Sequence, residues 1–249
     1  MSGLWLYGIG RTEPGGAALG AGIGGAEVTC RPVAGFVALL SDAPAERPAA
    51  TRRHMLAHTA VLERATGAID MLPVRFGTVA PSEVELARCL AVNAGALDQA
   101  LAGIAGRIEL GLRISWREGV VYEEILAADP ALRAMRDRLA RRPGAETTPQ
   151  RVELGRRVEA ALLARRAAEA ASLAAKLDAL ADRVAELGVA EDAMVLNRAF
   201  LVPRAAEPRF DAAVAAMEAE HGQRLAFRYV GPVPAFNFVR LNAAWLAAA

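Results

Sequence analysis

Apolar and polar positions alternate most regularly over 107–116: Ile108, Leu110, Leu112, Ile114 and Trp116 fall on one face, while Glu109, Arg113 and Ser115 lie among the residues opposite. A period of two predicts a strand. Shorter apolar runs bounded by Gly and Pro predict further strands at 4–9, 26–31, 36–40, 71–76, 194–202 and 225–230. Helical spacing governs the stretches between. Pro81 and Ser82 open a helix running to 104, with Leu86, Leu90, Leu97 and Leu101 supplying much of its apolar face. Other helices are predicted over 51–66, 123–141 and 209–220, with a break at Asp129-Pro130 left open in the second and Gly222 ending the third. From 151 to 187 there is no proline, and Leu173, Leu177, Leu180, Val184 and Leu187 recur at spacings of four and three. That predicts one long helix. Its stripe covers fewer than three heptads, which favours packing against the earlier helix over a dimeric coiled coil.

Two stretches break these patterns. Residues 11–25 are too rich in Gly and Pro for regular structure and read as a flexible loop, and 142–150 reads as a surface linker. The pieces sort into an α+β chain of two modules: an N-terminal α+β domain over 1–105 and a C-terminal domain over 106–249. In the second, the order strand, helices, strand, helix, strand resembles a split βαβ or ferredoxin-like unit.

Composition narrows the function. The 249 residues are 54% hydrophobic, much of it Ala, so the excess points to Ala-rich helices more than to a greasy surface. Aromatics make up only 5%, which leaves little for stacking nucleic-acid bases, and 29 basic against 28 acidic residues lack the basic bias of many nucleic-acid binders. Cys30 and Cys89 have neither zinc nor disulfide spacing. No leader opens the sequence, and no apolar run approaches the ~20 residues that span a bilayer. A cytoplasmic protein, bound to neither membrane nor nucleic acid, is expected.

Few motifs carry chemistry. Gly20, Gly22 and Gly25 match G-x-G-x-x-G, but a β-like run follows where a dinucleotide site needs a helix, so a loop is the better reading. His54 and His58 share one helix face, but no third ligand and no intervening Glu accompany them, so no metal is expected. No G-x-S-x-G elbow, P-loop or paired-cysteine motif occurs. Arg156, Arg157, Arg165 and Arg166 lie among Glu153, Glu159 and Glu169, the pattern of a solvated charged helix face. Two segments stand apart. In 71–78 a proline and Arg75 interrupt an apolar strand, which suits a strand end where Arg75 satisfies nearby carbonyls or a carboxylate, or an interface. In 231–239 prolines stop the last strand, and Phe236 and Phe238 follow in a tail that either packs inward or stays available to a partner.

Several segments together resemble the gas vesicle L/F protein family: Leu6-Tyr7-Gly8-Ile9, Leu72-Pro73-Val74-Arg75-Phe76-Gly77-Thr78, the strand ending at Trp116, Gly155-Arg156-Arg157-Val158-Glu159, Leu196-Asn197-Arg198-Ala199-Phe200-Leu201-Val202, and Gly231-Pro232 with Phe238-Val239. Where that family often has Gly-Pro-x-Pro-Pro-Tyr-Ser-Phe near the end, this chain has Ala235, Phe236 and Asn237. The resemblance implies an accessory or minor structural protein, with no catalytic, cofactor or metal residues, that associates with the major gas vesicle shell protein and other accessory proteins. It does not separate F-type from L-type members. Partner-binding residues are expected among Leu72, Pro73, Arg75, Phe76, Pro232, Pro234, Phe236 and Phe238. Competing readings are a nucleotide-binding enzyme using the glycine-rich loop 15–25 and a helical scaffold unrelated to vesicles.

Overall fold

The computed structural model describes residues 3–13, 15, 18–46 and 48–240. These fall into two compact units, one drawn from Met1–Leu110, Leu201–Arg204 and Val230–Ala249, the other from Gly111–Phe200 and Ala205–Tyr229. The class is α+β, as the patterns predict.

The first unit is built on β1 (Leu4–Gly10), all of whose residues are buried. It pairs antiparallel with β3 (Phe36–Asp42), β4 (Met71–Pro73) and β5 (Val79–Ala80), while β2 (Thr29–Val33) adds to β3 as an edge. β2 begins later than its apolar pattern suggests and contains Pro32, which an edge strand tolerates because the missing N–H costs no ladder bond. Period-two alternation deals the side chains to two cores. Leu4, Leu6, Ala38, Leu40 and Leu72 pack against α2 (Glu83–Val92) and α3 (Ala94–Ile104) through Leu86, Leu90, Leu97 and Leu101. Trp5, Tyr7, Leu39 and Met71 face α1 (Arg52–Thr66) through Val61, Leu62 and Ala65, together with Leu19 and Ile23 from the glycine-rich loop. A register shift between Leu6 and Gly8 inserts one residue, so Ile9 returns to the face of Leu6.

Two boundaries here differ from the expected ones. The helix predicted over 81–104 is two helices, because Asn93 leaves helical geometry and its Nδ2 donates to the Cys89 carbonyl at 2.8 Å, a local bond that competes with helix continuation. The strand predicted over 71–76 ends at Pro73, beyond which the chain turns.

The second sheet has the order β7-β8-β6-β9, from β6 (Arg107–Trp116), β7 (Arg183–Glu186), β8 (Met194–Pro203) and β9 (Leu225–Val233). In the second unit α4 (Val120–Ala128) and α5 (Pro130–Ala140) meet at Asp129, which caps α5 by accepting from Leu132 N at 2.9 Å and from Arg157 Nη2 at 3.0 Å. Arg157 belongs to α6 (Thr148–Asp178), which packs on α4, α5 and α7 (Glu207–His221). Arg224 reaches both Glu124 (2.6 Å) and Glu169 (2.9 Å), and Arg165 shares Glu124. The helix expected to reach 187 stops nine residues early, at Asp178. Leu173 and Leu177 are buried as the stripe demands, but Val184 and Leu187 are 39% and 43% exposed, and Leu187 N donates instead to Asn197 O at 2.9 Å. The spacing ran on through a change of structure. The expected surface linker at 142–150 is exposed at its described side chains except Thr147, which is fully buried, donates to Pro143 O and accepts from Arg151 Nε, each at 3.0 Å, and from Thr148 on it belongs to α6.

Candidate functional site

The 72–78 segment is anchored from below. Leu72, Pro73 and Val74 are buried. Val74 N donates to Tyr7 O at 2.8 Å, and Val74 O receives His58 Nε2 at 2.9 Å. Trp5 Nε1 donates to His58 Nδ1 at 3.1 Å. A ring that accepts at Nδ1 must carry its proton at Nε2, so His58 is neutral. Burial pushes its pKa below the ordinary value of 6.5, against the bond to Val74. Phe76 is half-buried and packs edge-on against Trp5 (centroids 5.2 Å) and His58 (5.8 Å). Thr78 closes the turn by donating from N (3.3 Å) and Oγ1 (2.8 Å) to Arg75 O, with Gly77 at φ +87°. Arg75 itself is exposed, and its side chain makes no hydrogen bond or ion pair with the described residues. The expectation that its guanidinium ties down the strand end is corrected: its carbonyl does that.

The 231–239 segment continues β9 through Gly231 and Pro232 to Val233, three residues past the expected end, since an edge strand accommodates proline. Gly231 lies at φ +146°, and a Cβ there would come within 2.6 Å of Leu110 Cδ2 and 3.2 Å of Glu109 O, so only glycine permits this approach to β6. Pro234 and Ala235 are buried. Ala235 O then accepts from Phe238 N (3.2 Å) and Val239 N (3.1 Å), which coils the chain and separates the two aromatics. Phe238 packs against the cluster that holds Leu72 and Ala235, whereas Phe236 is 41% exposed and Pro232 is also exposed. Glu109 is only 3% exposed and accepts from Asn237 N at 2.9 Å and Asn237 Nδ2 at 2.5 Å. Its burial raises its pKa, while the two bonds from Asn237 pull the other way.

Of the eight expected residues, the structure thus presents Arg75, Pro232 and Phe236 to solvent, half-buries Phe76 and Phe238, and buries Leu72, Pro73 and Pro234. Both segments are rooted in one cluster, through Leu72 and Val74 on one side and Ala235 on the other. Two organising residues were not legible. Glu109 sits at a polar position of an alternating strand, opposite its apolar face, and His58 reads as one of a pair on a solvated or half-buried helix face.

The other motifs resolve into structure. His54 Nδ1 lies 2.8 Å from Ala49 O, so the two histidines engage different partners, and no group of three His, Cys, Asp or Glu that could hold a metal occurs among the described residues. In the glycine-rich loop Gly22 N is bonded to Ala26 O, Gly25 N to Gly22 O and Ile23 N to Tyr7 Oη at 2.8 Å. Those N–H groups are spent, only a three-residue 3-10 turn (Ile23–Gly25) precedes β2, and Glu13 and Glu27 line the adjoining cleft. The geometry does not build a phosphate cradle. Leu19 and Ile23 are buried in the cluster that holds Tyr7, so these two positions are packed within a stretch expected to be a flexible loop. Arg156 pairs with Glu153, Arg157 with Asp129 and Arg165 with Glu124, and Arg166 donates to Asp192 O. No helix among the described residues is long and apolar enough to cross a membrane.

Comparison with known proteins places this arrangement. Residues 3–240 match the family described as Gas vesicle synthesis protein GvpL/GvpF. Gas vesicle protein F of Microcystis aeruginosa (strain PCC 7806) is 30% identical over 244 residues, 96% of this chain and 98% of that protein. The crystal structure of GvpF from Anabaena sp. PCC7120 superposes with a TM-score of 0.84 at 27% identity, covering 97% of this chain and all of that one. GvpF from Microcystis aeruginosa gives 0.80 at 29% identity over the same share. A match over nearly the whole length, in sequence and in fold, means that this chain belongs to the GvpL/GvpF family of gas vesicle proteins.

Proposed function

We propose that this chain binds the major gas vesicle shell protein during vesicle assembly, through exposed residues of the first unit, Phe236, Pro232 and Arg75. The reading is of a binding protein in the cytoplasm, associated with the vesicle and with its other accessory proteins, and not of an enzyme. One observation carries it: Phe236 is held 41% exposed on a turn whose backbone is tied down on both sides. An aromatic that is exposed and already ordered loses little further entropy on contact, which is what an interface anchor requires. Val230, 46% exposed, and Pro232 extend the apolar surface along β9. A shell that keeps water from a gas space must be built from apolar faces, and such faces aggregate before assembly unless something covers them.

Co-purification with the major shell protein is the test. Truncating an interface anchor commonly costs about 2 kcal/mol, roughly thirtyfold in affinity, so Phe236→Ala should lose most shell-protein capture while melting as the wild type does. Wild-type chain that fails to capture shell protein at all would sink the reading.

A further inference from the structure

Phe236 and Phe238 are two residues apart, and in a continuing strand both would lie on one face. Here one is exposed and the other is half-buried against the core. Two features separate them. Ala235 O accepts from the N–H groups of both Phe238 and Val239, so the chain coils. Between the aromatics, Asn237 is fastened through its backbone N–H and its Nδ2 to a single carboxylate, that of Glu109. That carboxylate is buried in β6 between Ile108 and Leu110, where an apolar side chain would carry no desolvation penalty. The approach of Gly231 to Glu109 O brings the two strands close enough for the clamp to close.

We infer that Glu109 is a positioning residue for the partner surface: by holding Asn237 from both its donors, it fixes the turn that points Phe236 outward and Phe238 inward. This rests on the binding role proposed for Phe236. The chemistry of the clamp is directional. A carboxylate only accepts, and Asn237 offers it two donors, so Glu109→Gln sets an amide N–H against one of them. The polarity can be reversed. In Glu109→Gln with Asn237→Asp, the Gln oxygen accepts the backbone N–H of residue 237 and its amide donates to the new carboxylate.

The experiment measures capture of the major shell protein, melting temperature and hydrogen exchange of the residue 237 amide in Glu109→Gln, the reversed double variant, Asn237→Ala and Phe236→Ala. Losing a hydrogen bond to a charged acceptor should weaken capture by Glu109→Gln by about tenfold or more and speed exchange at 237. The double variant should recover most of both. Asn237→Ala, which keeps the backbone bond, should lie between. If Phe236→Ala loses capture but Glu109→Gln, with fast exchange at 237, captures like the wild type, the positioning role is overturned and the binding role stands. If Phe236→Ala captures normally, the binding role itself fails. A loss in Glu109→Gln that tracks a lower melting temperature and is not recovered by the reversal would make the clamp a fold element only, which also overturns the inference. Should Glu109→Gln not fold, Asn237→Ala decides: wild-type capture by that variant counts against the clamp.

Discussion

The turn at 74–78 and the turn at 235–239 are each held from beneath by one buried titratable side chain, and the two side chains have opposite polarity. His58 donates a hydrogen bond, from Nε2–H to the Val74 carbonyl, and is itself oriented by the Trp5 N–H. Glu109 only receives, from the two N–H donors of Asn237. The first clamp joins a helix to a turn inside an aromatic nest of Trp5, Tyr7 and Phe76, and the second joins a strand to a turn beside an edge. Both solve one problem, fixing an irregular backbone at the surface without a disulfide or a metal. They leave it with opposite electrostatic sensitivities, so the two exposed segments can be disturbed one at a time.

The largest effect is expected from His58→Ala. It opens a cavity among three aromatics and leaves the Trp5 N–H and the Val74 carbonyl without partners, so a loss of about 3–5 kcal/mol of stability is expected, read as a drop in the urea midpoint. His58→Gln, which keeps one donor and one acceptor, should lose clearly less. Equal losses would mean that the ring's volume, not its hydrogen bonds, holds the turn. Next in size comes the contrast between the two phenylalanines. Phe238→Ala removes a half-buried ring from the cluster around Leu72 and should cost about 2–3 kcal/mol, whereas Phe236→Ala should stay within roughly 0.5 kcal/mol of the wild type. Comparable destabilisation by both would erase the inward and outward assignment.

Much of this fold is legible because burial writes a period into the sequence. β1, β6 and β8, together with α1 and α7, lie close to where alternation and capping residues put them. Legibility fails where one side chain outweighs the pattern. Asn93 cuts a helix whose leucines keep their spacing across the break, and Val184 in the exposed strand β7, with Leu187 just beyond it, continues a helical stripe past the helix end. The candidate site was readable as two unusual segments, but not as inside and outside. Leu72 and Phe238 face the core and Phe236 faces water because Ala235 O and Glu109 bend the chain, and neither influence leaves a mark on hydrophobic periodicity.

The smallest effect, and the one that separates the two clamps most directly, is in pH. Burial lowers the pKa of folded His58 below its ordinary 6.5, so as pH falls from 7 the unfolded chain takes up that proton first. Its contribution is complete above 6.5 and is lost as pH falls through the folded value. Glu109 has the reverse sign: its folded pKa is raised above 4.5, so its contribution is complete below 4.5 and is lost as pH rises through the folded value. The groups facing His58 are the rings of Trp5, Tyr7 and Phe76 and the Val74 carbonyl, and the next histidine on α1, His54, is bonded to Ala49 O. Between pH 7 and 5.5 the wild type should therefore lose stability relative to His58→Gln, and the difference between their urea midpoints should narrow as the solution is acidified. Hydrogen exchange, corrected for its intrinsic pH dependence, should rise at the Val74 amide over the same interval and should not rise at the Asn237 amide, whose clamp has the reverse sign. A parallel rise at both would mean that the two turns open as one unit, and the distinction between their clamps would have no consequence in solution.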